Sequence, residues 1–172
     1  VLRGPAFSTA KILFLPTADA TCLLFTAGAA VQNFCGVQNL WIYSTDVTFA
    51  KVAIEVRDNS MFVCRNVRVS GEKIYSSSHY WGSNTPKFST GLLLKGREAG
   101  IFENLQLYCD KPIQISANTN STAISCDHHV FRNLYLVGNV DPAAVAGTAY
   151  PLITIDDDLR VSNLTFDGFQ AW

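Results

Sequence analysis

The chain has 172 residues, of which 48% are hydrophobic and 16% charged, with a formal net charge of −1. That length supports one domain with a real core. The balance of charge lacks the basic excess that a phosphate backbone demands, which excludes nucleic acid as a partner. The apolar runs, such as ILFL at 12–15 and CLLF at 22–25, are far too short to span a membrane, so no membrane insertion is expected.

In chain order, the first informative stretch is VQNLWI (37–42), an asparagine set between apolar positions. A short alternation, VTF (47–49), and a four-residue apolar run, AIEV (53–56), follow before the same pattern returns as CRNVRV (64–69). A longer interval then holds the polar and aromatic insertion KIYSSSHYWGSNTPKFST (73–90), which carries Tyr80 and Trp81. Next come LLL (92–94), FENLQL (102–107), PIQI (112–115), AISC (123–126) and FRNLYL (131–136). A second loop, GNVDPAAVAGTAY (138–150), precedes LITI (152–155) and VSNLTF (161–166).

The pattern Φ-x-N-Φ-x-Φ thus occurs five times, on Asn39, Asn66, Asn104, Asn133 and Asn163, at intervals of 27, 38, 29 and 30 residues. A near-constant interval of this length marks a repeat architecture. Within each repeat the apolar residues at Asn+1 and Asn+3 have period two, which predicts a strand with one buried face. Helical stripes are nearly absent. The expected fold is all-β: a single-stranded parallel β-helix, or solenoid, with three short strands per coil. Stacked asparagines at one corner are expected to form an inward-facing ladder whose amides bond from coil to coil. In such a ladder Asn163 would be inaccessible, so its glycosylation sequon Asn163-Leu164-Thr165 is discounted.

Five cysteines form no C-x-x-C pair, and their odd number predicts reduced, buried thiols and assembly in a reducing cytoplasm, not a disulfide framework. The adjacent His128 and His129 would point to opposite faces of a strand, so no metal site is expected, and nothing in the sequence implies a cofactor. The outward position between the two apolar residues after each asparagine gives the column Trp41, Arg68, Gln106, Tyr135 and Thr165. Aromatic rings suit the flat faces of sugars and guanidinium suits their carboxylates. Trp41, Arg68 and Tyr135, with Tyr80 and Trp81 of the insertion, are therefore the candidate substrate-binding residues. An ordinary solvated sheet face, or a subunit contact for Tyr80 and Trp81, is the alternative.

The pieces LRG (2–4), ILF (12–14) and the coil from Gly36 to Ile42 make the whole chain resemble the right-handed parallel β-helix of the pectate-lyase-like superfamily, most of all bacteriophage tailspike proteins. That resemblance implies a polysaccharide ligand, trimeric assembly and acidic active-site residues. It carries no metal site over, because the calcium-binding aspartates of pectate lyases find no matching positions. On this reading the chain is a tailspike-like segment that recognises and depolymerises a bacterial surface polysaccharide. It would act extracellularly on a virion tail after assembly as a homotrimer in the host cytoplasm. A non-catalytic structural or receptor-binding stalk is the alternative. Residues 1–172 would be a β-helix segment of a longer chain, without caps at either end. Aligning the preceding strands on their apolar residues gives the column Arg57, Lys95, Asp127 and Asp156. Asp127 and Asp156 would then stand one coil apart, near the separation of a retaining glycosidase's acid and nucleophile.

Overall fold

The computed structural model describes residues 1–5, 10–26, 34–45, 48–57, 61–71, 88–96, 99–116, 125–138, 151–156 and 160–171, with backbone alone for 125–127, 160 and 171. Among these residues the chain is all-β, without a helix. The strands are β1 (Leu2–Arg3), β2 (Lys11–Leu13), β3 (Ala20–Thr26), β4 (Phe34–Ser44), β5 (Lys51–Arg57), β6 (Met61–Gly71) and β7 (Phe88–Lys95). They continue as β8 (Ala99–Ser116), β9 (Ser125–Asp127), β10 (His129–Val137), β11 (Ile153–Ile155), β12 (Arg160–Ser162) and β13 (Thr165–Ala171).

Every pairing is parallel, and each strand pairs with one from a neighbouring repeat. One stack runs β1 and β2, β4, β6, the first part of β8, β10 and β13. A second runs β3, β5, β7, the last part of β8 and β11. Because β8 passes from one stack to the other, the two join into a single curled sheet of eleven strands, while β9 and β12 form a separate pair.

The inner faces of the two stacks share one core. In the first stack Val37, Cys64, Phe102, Phe131 and Phe166 pair in register, as do Leu40, Val67, Leu105, Leu134 and Phe169. In the second, Leu23, Ile54, Leu92, Ile113 and Ile153 do the same. Strand spacing dictates ring spacing: Phe102 on Phe131 and Phe131 on Phe166 both stack at 4.9 Å, at interplanar angles of 17° and 7°. Each fully buried side chain of this size contributes about 1.5–3 kcal/mol by its removal from water.

The repeated asparagines lie inside strands β4, β6, β8 and β10, not before them. Asn39, Asn66, Asn104 and Asn133 have φ of 56°, 53°, 55° and 50°. Asparagine enters this left-handed region more readily than other non-glycine residues. The bend resets the pleat, which is why the buried positions are Asn−2 and Asn+1, three apart, and then Asn+3. Their amides are joined: Asn66 Nδ2 donates to Asn39 Oδ1 at 2.9 Å, Asn104 to Asn66 at 2.9 Å and Asn133 to Asn104 at 3.1 Å. Asn39 Nδ2 continues the chain to the Gly4 carbonyl at 3.3 Å.

Four expectations are corrected. Strands are longer than expected, eleven residues in β4 and β6 and eighteen in β8, because the bend does not interrupt pairing. The asparagines are not enclosed: Asn104 and Asn133 are exposed, and Asn39 and Asn66 half-buried. Asn163 is outside this row: Asn133 is flanked in register by Gly168, while Asn163 lies beside His128, its Nδ2 3.1 Å from His128 Nε2. The runs AIEV, LLL, PIQI and LITI make one stack, whereas AISC leads into the separate β9–β12 pair.

Candidate functional site

Among the described residues, the outward row after the bend is an ordered polar surface. Register sets Lys11, Trp41, Arg68, Gln106, Tyr135 and Gln170 side by side on six successive strands. Alternation places them opposite the buried neighbours Leu40 and Ile42, Val67 and Val69, Leu105 and Leu107, and Leu134 and Leu136. Gln170, not the expected Thr165, closes the row, a consequence of the same five-residue shift that moves Asn163 off the asparagine row.

Specific contacts fix the row. Lys11 Nζ lies 4.5 Å from the Trp41 ring centroid and Arg68 Cζ 5.6 Å from it, within cation–π range. Trp41 Nε1 donates to Ser70 Oγ at 2.8 Å, and Ser70 Oγ donates to the Gly71 carbonyl at 2.8 Å. Arg68 is held by Gln106 Oε1, which accepts from Nε at 2.9 Å and Nη2 at 2.6 Å. Tyr43 packs on Trp41 at 5.4 Å between centroids and Tyr108 on Tyr135 at 5.7 Å. The six-residue row holds two cations and no carboxylate. It presents rings, amides and positive charge along the stacking direction, at roughly 4.8 Å per strand.

The structure keeps Trp41, Arg68 and Tyr135 on this one face. Gln106 of the expected column stays with them, and the structure adds Lys11, Tyr43 and Tyr108 as partners. Lys11 was not legible because its strand has no Φ-x-N pattern: Gly4 occupies the asparagine position, and the intervening residues separate β1 from β2. Tyr80 and Trp81, like the loop 139–150, lie outside the described residues.

The two aspartates are not brought together as adjacent-coil partners. Asp127 pairs in register with Ser162 in the β9–β12 pair. Asp156 follows β11 in the second stack, its N–H bonded to the Ile115 carbonyl at 3.0 Å, in the row of Arg57, Lys95 and Ser116. The expected column is corrected because PIQI, not AISC, continues the second stack.

That stack has a charged cluster of its own. The buried Glu55 accepts from Thr21 Oγ1 at 2.8 Å and from Arg57 Nε at 2.6 Å, with Lys95 Nζ at 3.5 Å. Burial alone would raise its carboxyl, but the Arg57 and Thr21 hydrogen bonds and the charges of Arg57 and Lys95 hold it below the usual range. Three of the cysteines are no nucleophiles: burial pushes the Cys22 thiol up to about 11 and holds those of Cys64 and Cys109 well above the ordinary value. Among the described residues no group of three metal-ligating side chains converges.

Comparison with known proteins returned no matching family model, no matching curated protein and no matching solved structure.

Proposed function

We propose that this chain is a right-handed parallel β-helix that recognises a polysaccharide along the row from Lys11 to Gln170. The helix reading is supported by the regular alternation of the chain between two parallel stacks and by the hydrogen-bonded row from Asn39 to Asn133. One observation carries the functional reading. Trp41, Arg68 and Tyr135 occupy one outward row, braced by Ser70, Gln106 and Tyr108, with no carboxylate among its six members. A sugar chain lying across the strands meets tyrosine rings for its C–H faces and cations for any acidic substituent.

Recognition is favoured over depolymerisation by Asp127 and Asp156, since those residues are registered on Ser162 and beside Ser116 respectively. Following the tailspike resemblance, the ligand would be a bacterial surface polysaccharide and the role host attachment. The test is calorimetric titration with a panel of neutral and acidic bacterial polysaccharides, and size analysis of each after incubation. Binding that falls at least tenfold in Arg68→Ala and Tyr135→Ala, with polymer length unchanged, is the expected result. Undiminished binding in both variants would remove the row as the site, and shortened polymer would restore a depolymerase.

A further inference from the structure

Trp41, Arg68, Gln106 and Tyr135 stand on the inner strands β4, β6, β8 and β10, each of which is paired on both sides. They share one outward row, yet their contacts divide them into two kinds. Lys11 Nζ and Arg68 Cζ lie over the Trp41 ring from the strands on either side, at 4.5 Å and 5.6 Å from its centroid. Tyr43 packs on the same ring at 5.4 Å, and the indole Nε1 donates to Ser70 Oγ at 2.8 Å. An aromatic face that already holds a cation is not open to the C–H face of a sugar. Gln106 is committed in the same sense, because its Oε1 accepts from both Nε and Nη2 of Arg68.

Arg68 is thus gripped from both neighbouring strands, by Trp41 on β4 and by Gln106 on β8. A long side chain ordinarily loses rotamer freedom when a ligand fixes it. Here the guanidinium is fixed beforehand, so a ligand meets a charge already in place. Tyr135 is of the other kind. Its row neighbours, Gln106 and Gln170, are neutral, and Tyr108 packs on it at 5.7 Å with the rings tilted by 49°. It stands two strands from Arg68, about 10 Å along the stack.

Given the polysaccharide reading, on which this rests, we infer that Trp41 and Gln106 are positioning residues that hold Arg68 to read a carboxylate of the glycan, while Tyr135 supplies the ring on which a sugar stacks. The ligand is thereby narrowed to polysaccharides that carry acidic sugars. An extended glycan advances by roughly one strand spacing per sugar. The acidic sugar at Arg68 and the stacked sugar at Tyr135 are then two units apart in the chain.

The test is calorimetric titration with uronic-acid polysaccharides, each beside the same polymer after its carboxylates have been reduced to alcohols. The acidic form is expected to bind about tenfold more tightly, with an affinity that weakens as salt is raised. Trp41→Ala should remove most of that preference by weakening the acidic form alone. Trp41→Phe keeps a ring beneath the two cations and should restore much of it. Gln106→Glu sets a fixed carboxylate on Arg68 and should weaken the acidic form about tenfold while sparing the reduced one. Tyr135→Ala should weaken both forms alike. Circular dichroism establishes that each variant is folded. Equal weakening of both forms by Trp41→Ala would make Trp41 a stacking platform and overturn the inference. Reduced polymers that bind the unaltered protein as well as acidic ones would overturn it too, while leaving the polysaccharide reading in place. Binding of no polymer in either form would remove that reading and the inference together.

Discussion

Asn104 separates two physical roles that one residue type fills at once. Its backbone occupies the left-handed region at φ 55°, and its amide both donates to Asn66 and accepts from Asn133. Leucine at this position loses both bonds and adds steric strain of about 1–2 kcal/mol, whereas glycine loses the bonds but adopts the backbone freely. Asn104→Leu is expected to destabilise by about 2–4 kcal/mol in urea unfolding, and Asn104→Gly by clearly less. Equal losses would mean that the amide bonds, not the bend, decide this position. The row itself makes the glycine choice in the left-handed region. Gly168, at φ 68°, follows Asn133 in the row, and a Cβ there would lie 2.7 Å from Asn133 Oδ1.

Strands are held by what lies on both sides of them, so the same substitution differs in cost along one row. Phe131 is fully buried between Phe102 and Phe166, while Phe166 is 43% exposed. Phe131→Ala is expected to cost about 3–5 kcal/mol and Phe166→Ala less than half of that, both from the midpoint of denaturant unfolding. Similar losses would show that Phe166 is as enclosed as Phe131.

The cross-strand cluster around Glu55 gives a pH dependence of known sign. Its folded carboxyl lies below the ordinary value of 4.5, so its contribution is fully present above that value and is lost as pH falls through the folded one. Stability measured between pH 6 and pH 3 should fall, with a smaller decline in Glu55→Gln. An identical slope in the variant would assign the decline to other carboxylates.

At this scale the sequence was legible where a period repeats and illegible where two periods look alike. The pairs at Asn+1 and Asn+3 were readable because burial alternates. That Val37, Cys64, Phe102 and Phe131 belong to the same strands was not, since a left-handed residue shifts the alternation without leaving a mark in composition. VSNLTF fits the pattern as well as FRNLYL does, yet FDGFQA (166–171) is the stretch that pairs with it. Glycine fills the same backbone requirement without matching an asparagine pattern. AISC and PIQI both read as short, largely apolar runs, so only pairing could assign PIQI to the second stack, and with that assignment Ser116, not Asp127, stands in the row of Arg57, Lys95 and Asp156. On the candidate site, Trp41, Arg68 and Tyr135 were readable from alternation. The Ser70 and Gln106 bonds that hold them were not, because they depend on which strands are neighbours.

For the whole molecule, stability is close to one-dimensional along the stacking direction: within a stack each strand is hydrogen-bonded only to the strand before and the strand after it. Opening must then begin at the limits, where a strand has one neighbour, and reach the centre last. Amide exchange should accordingly be fastest in β1, β2 and β13, intermediate in β4 and β10, and slowest in β6 and β8, which are paired on both sides over eight or more positions. Protection uniform across the chain would mean a single all-or-none opening, and would contradict the neighbour-by-neighbour picture on which the ordering rests.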